Sequence, residues 1–362
     1  MDETRKQPRG TPPELIPVRE GEEFDRERLA AYLRGRLEGT DRPLSVLQFS
    51  GGHANLTYLL RYGDLEYVLR RPPIGPVAAT AHDMSREHRV LSVLYKAYPL
   101  APRAFLFCED PALIGAPFFI MERRRGTVVR SVVPPEFGGG EDPAVNRALS
   151  EVLIDALVAL HRVDYKSVGL EALGKPEGFM ERQVRGWAGR YERAKTQEIP
   201  CAGLVYEWLM DQLPASPEPA LVHNDWRLDN MMLDSEDPSK AVAVFDWDMC
   251  TLGDPLADMG CVLSFWFEPG EALGAMAAMP SQAAGFMTRE EAIRRYGEKS
   301  GRDVSSMDFY YVFGLFKMAV VVQQIYLRYA RGQTRDPRFQ YFGTGAELLF
   351  SLAWSTTRCS RI

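Results

Sequence analysis

The run Leu221-Val222-His223-Asn224-Asp225-Trp226-Arg227-Leu228-Asp229-Asn230 carries a His-x-Asp-x-x-x-x-Asn spacing, and Val242-Ala243-Val244-Phe245-Asp246-Trp247-Asp248 follows it. In a loop of this spacing Asp225 can orient a substrate hydroxyl while the amide of Asn230 ligates a magnesium ion. Asp246, on the turn after an apolar strand, adds a second hard oxygen ligand of the kind magnesium takes beside nucleotide phosphates. The chemistry this pattern points to is phosphoryl transfer. Asp248 either joins the metal site or caps a turn. Arg227, two positions after Asp225, can place charge on the transferring phosphoryl group, or it can sit in an ordinary surface ion pair. His223 reads as a ring that ties the loop to its scaffold by a hydrogen bond.

These residues need a hairpin to hold them. Met231-Met232-Leu233 and Ala241-Val242-Ala243-Val244-Phe245 predict two short buried strands around the polar turn Ser235-Glu236-Asp237-Pro238-Ser239. Upstream, a helix over Asp25 to Leu37 is followed by strand patterns at Leu44 to Phe49, Leu56 to Leu60 and Tyr67 to Leu69. A helix from about Thr80 to Tyr98 comes next, then strands at Phe105 to Phe107 and Phe118 to Met121. After Met121-Glu122 the pattern turns helical. Asp142-Pro143 opens a helix with Leu149, Leu153, Leu157 and Leu160 on one face, and further helices are expected over Phe179 to Lys195, Leu204 to Leu213, Pro255 to Trp266, Arg289 to Ser300, Met307 to Arg331 and Pro337 to Trp354. The apolar run Met318 to Val322 is too short to span a bilayer and reads as a buried helix turn. Gly138-Gly139-Gly140 reads as a loop, because no strand immediately precedes it.

The catalytic loop resembles that of the aminoglycoside phosphotransferase family, and Thr251-Leu252-Gly253-Asp254-Pro255-Leu256-Ala257-Asp258 is similar to the segment that buttresses that loop in the family. Phe49-Ser50-Gly51-Gly52-His53-Ala54-Asn55 looks like its nucleotide loop. Tyr67 to Pro73, Arg86 to Leu91 and Pro176 to Gln183 are similar to one branch, the phosphotransferase-like domain found ahead of some acyl-CoA dehydrogenases. The similarity runs from about residue 25 to about residue 350. It implies an α+β, two-lobed protein-kinase-like fold with an antiparallel-sheet N-lobe over 25–122, a mainly helical C-lobe over 123–362 and a flexible lead at 1–24.

The resemblance further implies nucleotide contacts from Gly51, Gly52, Arg70, Glu87, Met121, Glu122 and Arg123, with ATP or GTP as donor and Mg²⁺ held by Asn230 and Asp246. Arg70 stands where the family carries a phosphate-binding Lys, and Arg is no conservative replacement at a point-charge site. Glu87 is its expected ion-pair partner, a plain surface pair being the other reading for both. Gly51-Gly52 lets the backbone approach phosphates, although a hairpin turn has the same spelling. Arg123-Arg124-Arg125 reads as a solvated charged face. His161 resembles a structural histidine of the family, and the aromatic and Met residues around Phe309 to Tyr329 read as core.

With 362 residues, 46% hydrophobic and 25% charged, the chain can bury a sizeable core. A formal net charge of -6 disfavours a nucleic-acid partner, and no signal peptide or membrane span is read in Met1 to Glu23. The five cysteines have no Cys-x-x-Cys spacing and read as free thiols in a reducing cytoplasm. The expected activity is ATP-dependent transfer of the γ-phosphoryl group to a small-molecule hydroxyl, with an aminoglycoside kinase or a non-catalytic nucleotide-binding module as alternatives. Residues 271–362 hold twelve Lys or Arg against eight Asp or Glu, with Arg328, Arg331, Arg335 and Arg338 the densest group. That surplus predicts an anionic acceptor, a hydroxy acid or a hydroxyacyl-CoA, rather than a polycation.

Overall fold

The structure, a computed structural model, describes residues 14–51, 55–73, 83–271, 274, 278–334 and 336–358. They gather into two compact units, one formed by the chain up to Tyr95 with Pro102–Arg124, the other by Lys96–Ala101 with the chain from Arg125 on.

In the first unit, period-two runs rich in branched and aromatic residues make a six-stranded antiparallel sheet. Its order is β1-β2-β3-β4-β6-β5, with β1 at Leu15–Ile16, β2 at Ser45–Phe49, β3 at Leu56–Tyr62, β4 at Leu65–Arg71, β5 at Ala104–Cys108 and β6 at Phe118–Glu122. Strand alternation sorts the side chains. Tyr58, Leu60 and Tyr62 of β3 and Leu69 of β4 share a core with Leu29 and Leu33 of helix α1, Arg26–Leu33. Arg70, next along β4, is turned to the other face, where helix α2, Met84–Leu94, supplies Glu87. Asp83 starts α2 by accepting the N–H groups of Ser85 and Arg86 at 3.0 and 3.2 Å, a cap worth about 1 kcal/mol. Both helices are shorter than their expected spans, and Thr80 to His82 lie outside the described residues.

The described part of the expected lead, residues 14–24, is tied to the first unit's sheet. Leu15 and Ile16 pair with Phe49 and Gln48, and the Glu22 carbonyl accepts Arg71 Nη2 and the Tyr58 hydroxyl, each at 2.7 Å. Arg71 is 2% exposed, and it also donates to Ile114 O at 2.7 Å. Composition alone missed this tether because the buried cation that makes it lies almost fifty residues downstream.

In the second unit, β7 (Thr127–Val128), β9 (Met231–Leu233) and β10 (Ala241–Val244) form a three-stranded sheet in the order β10-β9-β7. β8 (Ala220–Val222) pairs with β11 (Thr251–Gly253), a ladder that period counting did not reveal because each strand has three residues. The helices are α3 (Pro143–His161), α4 (Phe179–Ala194), α5 (Pro200–Asp211), α6 (Pro255–Ser264), α7 (Arg289–Ser300), α8 (Met307–Ala330) and α9 (Phe342–Thr356). Pro337–Tyr341, expected to open the last helix, is a separate 3-10 turn capped by Asp336. Lys96–Ala101 belongs to this unit, since Tyr98 donates its hydroxyl to Ala156 O at 2.9 Å and Leu100 O accepts the Val244 N–H at 2.8 Å.

Helix α8 is long and apolar enough to cross a membrane by length and composition, with a mean hydropathy of 1.3 over its best window. It packs instead against α4, α5, α6 and α9 and buries Phe309, Phe313, Phe316 and Val320 as core. The Met318–Val322 run is not wholly buried as expected, because Val321 falls on the outer face and is 38% exposed.

Candidate active site

Strand β8 ends at Val222 and the chain turns through His223-Asn224-Asp225 before the hairpin begins. Asn224 has φ 67° and Asp246 has φ 68°, the two positive values among described residues other than glycine. Left-handed backbone at such residues costs on the order of 1–3 kcal/mol and persists only where the surroundings over-determine it. Here they do. Fully buried Asp258, from α6, accepts the His223 and Asn224 N–H groups, each at 2.6 Å, while the Asn224 amide donates to Met249 O at 3.0 Å.

His161, at the end of α3, approaches Asp258 through Nε2 at 3.3 Å and Tyr296 through Nδ1 at 2.8 Å. Burial depresses the affinity of the imidazole for a proton more than Asp258 restores it, so the ring is neutral. Burial alone would raise the Asp258 carboxyl, but the hydrogen bond from His161, with the backbone donor at His223, holds it below the usual range. An ionised carboxylate receiving two backbone N–H bonds is therefore the anchor of the loop. Asp258 and His161 take the buttressing and structural places that the family resemblance implied.

Within the loop, His223 Nε2 lies 2.9 Å from Phe245 O and its Nδ1 accepts the Asp225 N–H at 3.3 Å. This assigns the ring proton to Nε2 and makes His223 a bridge between the loop and the residue before Asp246. The Phe245 N–H returns to Asn230 O at 2.8 Å. Trp226 and Trp247, each following a motif aspartate, are buried and hydrogen-bonded to Leu153 O and Val244 O at 3.0 and 2.7 Å. Truncating such an anchor to Ala costs about 3–5 kcal/mol. Both tryptophans flank the His223 ring.

The Asn230 amide nitrogen donates to Asp225 O and to Asp225 Oδ2, both at 2.8 Å. Its nitrogen is thus committed to positioning Asp225, and its carbonyl oxygen is the atom suited to a cation. With Asp246 tied through Phe245, the donor set is hard oxygen and fits magnesium. Among the described residues no group of three His, Cys, Asp or Glu could hold a metal ion, so an ion here would draw its other ligands from phosphate and water.

Arg227 pairs through Nε with Asp229 at 2.9 Å and Asp225 at 3.4 Å and lies over the Phe265 ring. Burial raises the Asp229 carboxyl while Arg227 lowers it. Arg227, Asp229 and Phe265 open onto a cavity of about 160 Å³ whose walls also include Trp226, Val262, Trp266 and Phe286, with Arg130, Arg227 and Asp229 as its charged groups. None of Arg328, Arg331 and Arg338 lines it. Arg338 is instead paired with Asp336, and Arg335 lies outside the described residues. The described arginines of the C-terminal group are therefore not the wall of this cavity: Arg328 and Arg331 close the end of α8, and Arg338 lies in the 3-10 turn beyond it.

In the first unit Arg70 and Glu87 form a buried ion pair at 3.2 Å, with side chains 10% and 1% exposed, which excludes the surface-pair reading. Gly51 borders β2, while Gly52 lies outside the described residues. Met121 and Glu122 end β6, and the Glu122 N–H is already given to Arg103 O at 2.9 Å. The Arg123 side chain is bound to both carboxylate oxygens of Glu14 and stacks on Phe49, and Arg124 pairs with Glu122.

Lys317, from α8, was not read from the sequence as part of the site. Its ammonium donates to Asn224 O and to Cys261 Sγ. The signal was present, since a single Lys in the otherwise apolar stretch Phe313 to Val322 has to find a polar partner inside.

An antiparallel-sheet unit followed by a mainly helical unit carrying this loop is the protein-kinase-like class. The chain belongs to the phosphotransferase enzyme family, whose pattern it matches over residues 45–297. It is 33% identical over 347 residues to acyl-CoA dehydrogenase family member 10 of Mus musculus, covering 94% of this chain and 32% of the mouse protein. This chain thus spans about a third of the length of that relative. A solved structure of a candidate aminoglycoside phosphotransferase from Ralstonia eutropha superposes with a TM-score of 0.80 at 30% identity, covering 93% of this chain and 99% of that one. At 14% identity and a TM-score of 0.57, covering 87% of this chain and 95% of the other, the fold is shared with a thermostable mutant of aminoglycoside phosphotransferase APH(4)-Ia, solved with AMP-PNP and hygromycin B.

Proposed function

We propose that the protein is an ATP-dependent kinase that phosphorylates a hydroxyl of a small, mostly apolar acid, either a hydroxy acid or its CoA thioester. The observation that carries this reading is Asp225, held by the Asn230 amide and ion-paired with Arg227, which itself lines a cavity with apolar walls and two arginines. The acceptor oxygen attacks the γ-phosphorus, its bond to the bridging oxygen breaks, ADP leaves, and Asp225 accepts the hydroxyl proton. Arg227 offsets charge on the transferring group, and Arg70, oriented by Glu87, meets the nucleotide phosphates. Met121 to Arg123 and Gly51-Gly52 are assigned to the nucleotide as well. A magnesium ion held by Asn230 and Asp246 would supply charge neutralisation across the phosphates.

The relatives support nucleotide as donor, since a family fold neighbour was solved with AMP-PNP. GTP is the alternative donor. A polycationic aminoglycoside fits the cavity poorly, because its charged lining is two arginines against one aspartate. The buried Arg70–Glu87 pair supports nucleotide binding, and Asp225 held by the Asn230 amide weighs against a module that binds nucleotide without turning it over. Magnesium-dependent ADP release, measured in parallel with hydroxy acids, 3- and 4-hydroxyacyl-CoA thioesters and kanamycin-like aminoglycosides, tests the reading. Turnover is expected with the acids or thioesters. Efficient turnover of aminoglycosides alone would refute it.

A further inference from the structure

Lys317 is half-buried on a helix remote in sequence from the catalytic loop, and among the described residues no carboxylate lies within ion-pairing distance of it. Its ammonium instead has three neutral partners: the Asn224 carbonyl, Cys261 Sγ at 3.4 Å, and the face of the buried Trp187 ring at 5.4 Å. A carbonyl oxygen, a thiol and an aromatic face can hold a cation without cancelling its charge.

The peptide that Lys317 grips is the one joining Asn224 to Asp225. Its oxygen takes the ammonium, and its N–H, which belongs to Asp225, donates to His223 Nδ1. A cation on the carbonyl polarises the peptide and strengthens the N–H as a donor. The chain of bonds then continues through the ring from Nδ1 to Nε2 and on to Phe245 O, next to Asp246. The preceding peptide is gripped at its own N–H by Asp258. The left-handed Asn224 is thus clamped from both sides by opposite charges, one from α6 and one from α8.

We infer that Lys317 is a positioning residue for Asp225, acting through the Asn224 carbonyl to hold the catalytic carboxylate in register; this rests on the assignment of Asp225 as the group that aligns the acceptor. The alternative, that Lys317 only fills space beside Trp187 and Cys261, makes a different prediction for an uncharged side chain of the same length.

The test compares wild type with Lys317→Met, Lys317→Gln and Lys317→Arg in magnesium-dependent ADP release, together with melting temperature and amide exchange at Asp225. Lys317→Met is expected to lower kcat by about 10- to 100-fold while the KM for ATP changes by about 2-fold or less, because the nucleotide ligands are untouched. Lys317→Arg should recover most of the loss. Equal kcat in wild type and Lys317→Met, or no recovery with Arg, would overturn the inference. Amide exchange serves independently of turnover, so it distinguishes failure of this inference from failure of the kinase reading. The Asp225 amide should exchange at least about 10-fold faster in Lys317→Met while core amides of α8 keep their protection. An unchanged Asp225 amide would overturn the role of Lys317 even if no acceptor were ever turned over. Should Lys317→Met not fold, Lys317→Gln carries the same two readouts.

Discussion

Arg70 stands where the family resemblance implies a Lys, and the structure gives it a buried pair with Glu87. A guanidinium can fork onto phosphate oxygens, whereas an ammonium meets them as a point charge. Arg70→Ala should therefore lose most nucleotide affinity and also leave Glu87 buried without its cation. Arg70→Lys should keep partial activity. Calorimetry with magnesium and ATP reads the affinity and magnesium-dependent ADP release the activity, and equal affinity in wild type and Arg70→Ala would remove Arg70 from the site. Asp254 offers a second test at this scale. It caps α6, the helix that presents Asp258, by accepting the Leu256 N–H at 3.0 Å, and it takes the Tyr310 hydroxyl at 2.6 Å. Burial pushes its carboxyl up to about 6 against these donors. Between about 3.9, the unfolded value, and 6 the native state keeps a proton that the unfolded chain has lost, so stability falls as pH rises through that window and is level above it. Asp254→Asn retains the capping oxygen without this loss. The stability difference, variant minus wild type, should rise by roughly 2 kcal/mol between pH 4 and pH 7. A difference independent of pH in urea melts would contradict the burial assigned to Asp254.

At the scale of elements, the site is held by the crossing of α6 and α8, and two glycines make that crossing possible. A methyl group on Gly260 would stand 2.1 Å from Tyr310 O, and one on Gly314 would stand 2.2 Å from Gly260 O. Backbones this close bring Asp258 and Lys317 to opposite sides of Asn224. Gly314→Ala is expected to destabilise the protein by about 1–3 kcal/mol, through overpacking, and to lower turnover as the helices separate. A thermal melt and an activity assay on the same preparation decide this, and a variant unchanged in both would mean that the crossing is loose. The helices themselves were readable. Arg289–Ser300 has the expected bounds because the Thr288 and Glu291 capping box and Gly301 mark both ends in the sequence. The crossing was not readable, since a glycine in an apolar helix has the same spelling whether it meets a backbone or a side chain.

For the whole molecule, the motif spacing singled out Asp225, Asn230 and Asp246, and the structure sets them on one loop and hairpin, with the Asn230 amide on Asp225 and the Phe245 N–H, beside Asp246, on Asn230 O. What holds that loop was only half legible. Asp258 and His161 came from a resemblance, while Lys317, and the Arg71 tether of residues 14–24, depend on partners far away in sequence. The charge count in residues 271–362 pointed to an anionic acceptor, but the arginines that line the cavity are Arg130 and Arg227, outside that segment. Net charge along the chain does not say which side chains share a wall. The claim on which everything else rests is that Asp225 acts on the acceptor and not on the nucleotide. It is tested by measuring, for wild type and Asp225→Asn side by side, calorimetric affinity for magnesium-ATP and transfer of label from γ-labelled ATP to a hydroxy acid or hydroxyacyl-CoA. Nucleotide affinity should stay within about 2-fold while transfer falls by about 10²- to 10⁴-fold. Transfer at the wild-type rate by Asp225→Asn, or loss of nucleotide affinity in step with transfer, would contradict it.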